Sequence, residues 1–129
     1  MADYDKLNFD PPAPVAYVTI RNVQSGIEIN DLPMLIDTGA DVTLLPIWAT
    51  KQISLHEDES KSFATIGFDG TIGQSIAVTA EMTLLKKKFR GKFLVIENEI
   101  GIIGRNILNS LTLVLDGKHL AWNEKQTPG

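Results

Sequence analysis

Leu35-Ile36-Asp37-Thr38-Gly39-Ala40-Asp41-Val42-Thr43-Leu44-Leu45 is the stretch on which the reading of this chain turns. The apolar run Met34-Leu35-Ile36 suits a buried strand, and it stops abruptly at a carboxylate. A carboxylate at that position is delivered to the floor of a site rather than to open surface. Burying it alone costs several kcal/mol unless a charge or hydrogen bond meets it. Thr38 brings a hydroxyl able to lock nearby backbone, and Gly39 lets backbone approach a ligand closely. The plain alternative is a turn, since Asp-Gly recurs at Asp69-Gly70 and Asp116-Gly117. Asp-Ser/Thr-Gly arises by chance in roughly one chain of this length in twenty, so the three residues alone decide nothing.

Outward from that stretch the pattern is β. Val18 and Ile20 alternate with Tyr17, Thr19 and Arg21, and Gln24-Ser25-Gly26 reads as a turn before Ile27-Glu28-Ile29. Pro46 suits the start of a short helix through Lys51, and the charged residues from His56 to Lys61 read as a surface loop. Ala64 to Gly73 reads as a hairpin with Asp69-Gly70 as a two-residue turn. Ile76 to Leu85 continues as strand, Arg90-Gly91 reads as a turn, and Phe93 to Ile96 resumes. Arg105 to Asn109 has the spacing of a short helix. A last hairpin is expected from Leu111 to Trp122 around Asp116-Gly117. Frequent strands and turns predict an all-β barrel or sandwich with one or two short helices. The expected organisation is a flexible N-terminal arm (1–14), one domain (15–122) and a polar tail (123–129).

Composition narrows the function classes. The chain has 129 residues, 43% hydrophobic and 22% charged, enough for one domain with a real core. A net charge of −4 argues against general nucleic-acid binding. The absence of cysteine excludes disulfides, thiol catalysis and thiolate metal sites. The first fifteen residues carry three aspartates and two adjacent prolines, so no signal peptide is expected, nor any membrane span. The expectation is a cytoplasmic protein. His56 and His119 have no ligand spacing, so no metal is expected. The basic run Lys86 to Lys92 reads as a solvated hairpin end. Trp48 and Trp122 suit core or interface better than base stacking.

The Leu35–Leu45 segment resembles the active-site strand and loop of retroviral-type (retropepsin-like) aspartic proteases. Ile102-Ile103-Gly104-Arg105-Asn106-Ile107-Leu108 resembles their second signature, a strand entering a short helix. Between the two lies a glycine-bearing hairpin where that family keeps its flap. Order and spacing agree from Val15 to about Leu111.

The resemblance implies a retropepsin-like acid protease barrel and an endopeptidase that works as a homodimer. One Asp-Thr-Gly per chain means that two copies each supply Asp37, with the site on a twofold axis. Sharing one proton between two carboxylates is a general property of aspartic proteases. At about 3 Å and an effective dielectric of ~20, the two charges repel by roughly 5 kcal/mol, about four pK units. The resemblance further assigns Thr38 and Gly39 to the catalytic loop. It places Ala40, Asp41, Val42 and Ile102 along the substrate, with Val42 and Ile102 as pocket walls. It makes Ile66, Gly67, Phe68, Asp69 and Gly70 part of the flap. Arg105 is expected to pair with Asp41 and tie the loop to the helix. No cofactor is implied, and the partners are a second copy and a peptide or protein substrate.

Departures from the family pattern lie at the ends. Retroviral enzymes finish with one strand that joins the partner's N-terminus, whereas Leu111 to Trp122 reads as a whole hairpin. Two other readings stay open: a catalytically weak dimerisation or peptide-binding module, and a glycosidase pairing Asp37 with Glu28 or Glu81.

Overall fold

The computed structural model describes residues 1–57, 63–66 and 72–125; for 63–66 and 72–75 the description is of backbone alone. The strands are β1 (Ala2–Asp5), β2 (Ala13–Arg21), β3 (Glu28–Ile36), β4 (Leu44–Pro46), β5 (Phe63–Ile66), β6 (Ile72–Ser75), β7 (Ala77–Leu84), β8 (Lys87–Ile96), β9 (Gly101–Ile103), β10 (Leu113–Asp116) and β11 (Ala121–Glu124). Two short helices join them, α1 (Ile47–Gln52) and α2 (Arg105–Leu108).

The strands β2-β3-β9-β4-β8-β7 are neighbours in that order, and β7 pairs back onto β2 to close a six-stranded barrel. The all-β barrel expected from the sequence is therefore what forms. Closure hides the main-chain edges that an open sheet would leave bare. Val18, Ile20, Leu32, Met34, Leu45, Met82 and Ile103 are almost wholly buried inside. Burying each such side chain stabilises the fold by about 1.5–3 kcal/mol.

Local irregularities keep the apolar residues pointing inward. In the β2–β3 pairing, Val18 faces Leu32 but Ile20 faces Ile29, so β3 carries one extra residue there. Asp31 absorbs it with φ of 55°. Side chains alternate along a strand, and without this bulge half of β3 would turn its apolar face outward. Asn22, buried after β2, donates to the Ile53 carbonyl oxygen (3.0 Å) and accepts from Gln24 N–H (3.1 Å). Those bonds satisfy a side chain that would otherwise be costly inside.

Two expectations are corrected. The β7–β8 turn lies at Leu85-Lys86, while Arg90 and Gly91 sit inside β8 opposite Glu81 and Ala80. Leu85 and Lys86 both have positive φ, 51° and 67°. That backbone closes a two-residue hairpin, and neither residue is of the Asn or Gly type that signals it. In the β5–β6 hairpin, Ile66 faces Ile72 and Thr65 faces Gly73. The expected two-residue turn at Asp69-Gly70 lies outside the described residues. The second correction is that the segment expected as a loose arm contains β1. Ala2 and Asp3 pair with β11, Tyr4 and Asp5 pair with β2, and Tyr4 N–H donates to the Leu120 carbonyl oxygen (2.8 Å). The main chains of β11 and early β2 need partners, and β1 supplies them from the same molecule. At the other end, Asn123 and Glu124 belong to β11, and residues 126–129 lie outside the described ones.

Candidate active site

β3 runs through Met34, Leu35 and Ile36 beside β9, in parallel register with Gly101, Ile102 and Ile103. Leu44 of β4 meets Ile102 from the other side. The two segments that carry the family resemblance are thus neighbours in space. Gly101 and Gly104 make this closeness attainable. A Cβ on Gly101 would meet the Leu44 carbonyl oxygen at 2.6 Å, and one on Gly104 would strike the Val42 backbone.

Asp37 follows the last residue of β3, and its N–H donates to the Ile103 carbonyl oxygen (3.1 Å). The chain then turns tightly. Ala40 N–H donates to the Asp37 carbonyl oxygen (3.2 Å), and Gly39 N–H donates to Asp37 Oδ1 (2.9 Å). That bond orients the carboxylate and leaves Oδ2 without a hydrogen bond among the described residues. Asp37 is half-buried, while Thr38, Gly39 and Asp41 are exposed.

Helix α2 holds this loop from behind. Arg105 N–H donates to the Ala40 carbonyl oxygen (2.8 Å) and Asn106 N–H to that of Asp41 (3.3 Å). The Arg105 side chain was expected on the Asp41 carboxylate. Instead its Nη1 donates to the Thr38 carbonyl oxygen (2.7 Å), and no Arg105–Asp41 ion pair forms among the described residues. The turn at Thr38-Gly39 leaves that carbonyl without a strand partner, and a guanidinium is a strong donor for it.

A second tie runs through Thr43, to which no role was assigned from the sequence. Thr43 is 1% exposed, accepts from Gly104 N–H (3.1 Å) and donates to Asn106 Oδ1 (2.8 Å). A hydroxyl inside the apolar run Val42 to Leu45 is the one hint the sequence offered, because a buried hydroxyl needs partners.

Val42 and Ile102 are both half-buried beside this loop. Ile66 ends β5, with its side chain outside the description. Gly67, Phe68, Asp69 and Gly70 lie outside the described residues. Glu28 stands at the opposite end of β3 from Asp37, and Glu81 is held by Arg90 (2.7 Å) on β8. His56 is exposed, and His119 pairs with Asp116 on a hairpin turn (2.8 Å).

The family described as retroviral aspartyl protease matches residues 13–116. Among solved structures, the EIAV protease complexed with the inhibitor HBY-793 is similar, with a TM-score of 0.57 and 20% sequence identity. That match covers 82% of this chain and 91% of the other, and at this identity it speaks for the fold. No curated protein matches the chain.

Proposed function

This chain belongs to the retroviral aspartyl protease family, and from that premise we propose that it is an aspartic endopeptidase whose catalytic pair is Asp37 from each of two copies. The observation that carries the reading is the Asp37 carboxylate. It follows a barrel strand and is oriented through Oδ1 by Gly39 N–H at 2.9 Å. Oδ2 is left for chemistry on a loop face where Thr38, Gly39 and Asp41 are exposed.

In the proposed reaction the ionised Asp37 takes a proton from water, and the water oxygen adds to the scissile carbonyl carbon. The protonated Asp37 of the partner subunit gives its proton to the carbonyl oxygen. As the resulting diol collapses and the C–N bond breaks, one of its hydroxyls gives a proton to the ionised carboxylate, and the leaving nitrogen takes the proton held by the other. The carboxylates end with one proton between them, ready for another turnover. Val42 and Ile102 would wall the peptide's apolar side chains, with Ala40 and Asp41 along its backbone and the Ile66–Gly70 segment as its cover.

The test is cleavage of an unfolded protein between about pH 4 and pH 7 at high protein concentration, wild type beside Asp37→Asn. Loss of cleavage in Asp37→Asn with the dimer retained supports the mechanism. A dimeric wild type that cuts nothing refutes it, and leaves the peptide-binding module as the better account.

A further inference from the structure

Five of the chain's twelve lysines and arginines fall between Lys86 and Lys92, in a chain whose net charge is −4. Strand pairing decides which way they face. Ala80 and Met82 of β7 are buried inside the barrel, so Thr79, Glu81 and Thr83 face outward. Directly paired residues share a face, which sets Lys88 beside Thr83, Arg90 beside Glu81 and Lys92 beside Thr79 on the outer wall. β2 extends this wall, with Arg21 on the far side of Glu81 and Thr19 on the far side of Thr83. Glu28 of β3 stands opposite Arg21 and offsets it, so the excess positive charge lies on β8.

Glu81 organises that charge. It is on the outward face and yet only 5% exposed. Its Oε2 accepts from Arg90 Nε (3.2 Å) and from Arg90 Nη2 (2.7 Å). Two bonds to one oxygen fix the guanidinium, and Nη1 is left without a hydrogen bond among the described residues. Lys88 is exposed and makes no ion pair among the described residues. A positioned arginine with a lysine beside it is a better anion site than a flexible charge run, because less freedom is lost on binding.

Spacing and surroundings say which anion fits. Alternate residues of a strand stand about 6.8 Å apart, so Lys88, Arg90 and Lys92 repeat at the interval of alternate side chains in another extended peptide. A nucleic acid fits less well. Phe89 and Phe93, the aromatic residues of β8, are paired with buried Met82 and Val78 and belong to the inner face, so no ring is offered to a base. The outward neighbours on β7 are threonines and Glu81, which give a lipid surface no apolar anchor.

We propose that the outer wall of β7 and β8 is a docking surface for an extended acidic segment of a partner protein, its alternate carboxylates set against Lys88, Arg90 and Lys92. Arg90 is the fixed centre, held by Glu81 and binding through Nη1. Lys88 adjusts its longer, unpaired ammonium to the next carboxylate. The surface is on the barrel wall, whereas Asp37 is on the loop after β3, so docking requires no catalysis.

Fluorescence anisotropy tests this with the Asp37→Asn protein, which keeps the probe intact, and a fluorescein-labelled peptide that alternates Glu and Thr. Saturable binding is expected, weakening as salt rises from about 20 to about 200 mM. Lys88→Glu should raise Kd about tenfold or more. Lys118→Glu makes the same charge change on the exposed turn between β10 and β11, and should leave Kd within about twofold. Arg90→Gln should also weaken binding, with circular dichroism reporting its fold because Glu81 loses its partner. The surface is overturned if the peptide fails to bind, if a Gln-Thr peptide binds as tightly, or if Lys88→Glu and Lys118→Glu bind alike. Tighter binding of a labelled oligothymidylate of equal charge also overturns it, in favour of a nucleic acid. Each of these results leaves the catalytic reading intact wherever the wild type cleaves and Asp37→Asn does not.

Discussion

Arg105 and Thr38 are 67 residues apart in the chain, yet Arg105 Nη1 donates to the Thr38 carbonyl oxygen at 2.7 Å. With the backbone bonds from Arg105 and Asn106 to Ala40 and Asp41, this makes α2 the support of the Asp37 loop. The hydrogen bond acts on the loop's position and does not touch the reacting atoms in the proposed mechanism.

Arg105→Ala should therefore reduce kcat more than it raises KM. A charged hydrogen bond at an exposed site is worth about 1–2 kcal/mol, so the expected fall is roughly five- to thirty-fold. Arg105→Lys should recover little, because an ammonium lacks the planar fork that reaches this carbonyl. Steady-state kinetics beside thermal unfolding checks this, and a KM effect alone would contradict it.

Thr43 gives a prediction about stability. Thr43→Val keeps the shape but removes the acceptor for buried Gly104 N–H and the donor for Asn106 Oδ1. The expected cost is about 1–3 kcal/mol, whereas Thr43→Ser should cost less because it keeps the hydroxyl. Urea unfolding of the two variants separates the hydroxyl's contribution from that of the methyl group.

Gly104 admits no side chain, since an added Cβ would strike the Val42 carbonyl group. Backbone on both sides cannot yield cheaply, and Gly104→Ala should destabilise by about 3 kcal/mol or more, enough to lower soluble yield. Gly117→Ala is the control. Nothing lies within 4 Å of its added Cβ, and its stability should stay within about 0.5 kcal/mol of wild type.

Glu81 predicts acid sensitivity. Hydrogen bonding from Arg90 is the main cause that holds the Glu81 carboxyl below its ordinary 4.5, against burial that pushes it up. A lowered folded-state value stabilises the fold above the unfolded value and loses that contribution as pH falls through the folded one. The melting temperature of wild type should drop on going from about pH 5 to pH 3, and Glu81→Gln should narrow that drop. Asp116, lowered chiefly by its hydrogen bond with His119, and Asp5, lowered chiefly by Asn8, retain part of the slope. A wild type and a Glu81→Gln with parallel pH profiles would exclude the Glu81 contribution.

The barrel and the Asp37 loop were legible because both are written in contiguous residues. Alternation along Val15–Arg21 and the run into Asp37-Thr38-Gly39 depend on neighbours in sequence, and local stereochemistry reads them directly. Misreadings fell where the deciding partner is distant. Arg90-Gly91 has turn composition but lies inside β8, because Glu81 and Ala80 across the strand pair hold it extended. Leu85 and Lys86 make the turn instead, in a left-handed backbone that their side chains do not advertise.

By itself, the sequence determined the strand periodicity, the short helices and a single Asp-Thr-Gly at the end of an apolar strand. Those are properties of adjacent residues and their intrinsic geometry. Tertiary structure alone decided that Arg105 serves the Thr38 carbonyl rather than Asp41, and that Thr43 joins Gly104 to Asn106. It also decided that β1 stays with its own β11 and leaves β10 as the edge. These outcomes follow from which hydrogen-bonding groups the closed barrel brings within 3 Å or so of one another, and no local pattern encodes that proximity.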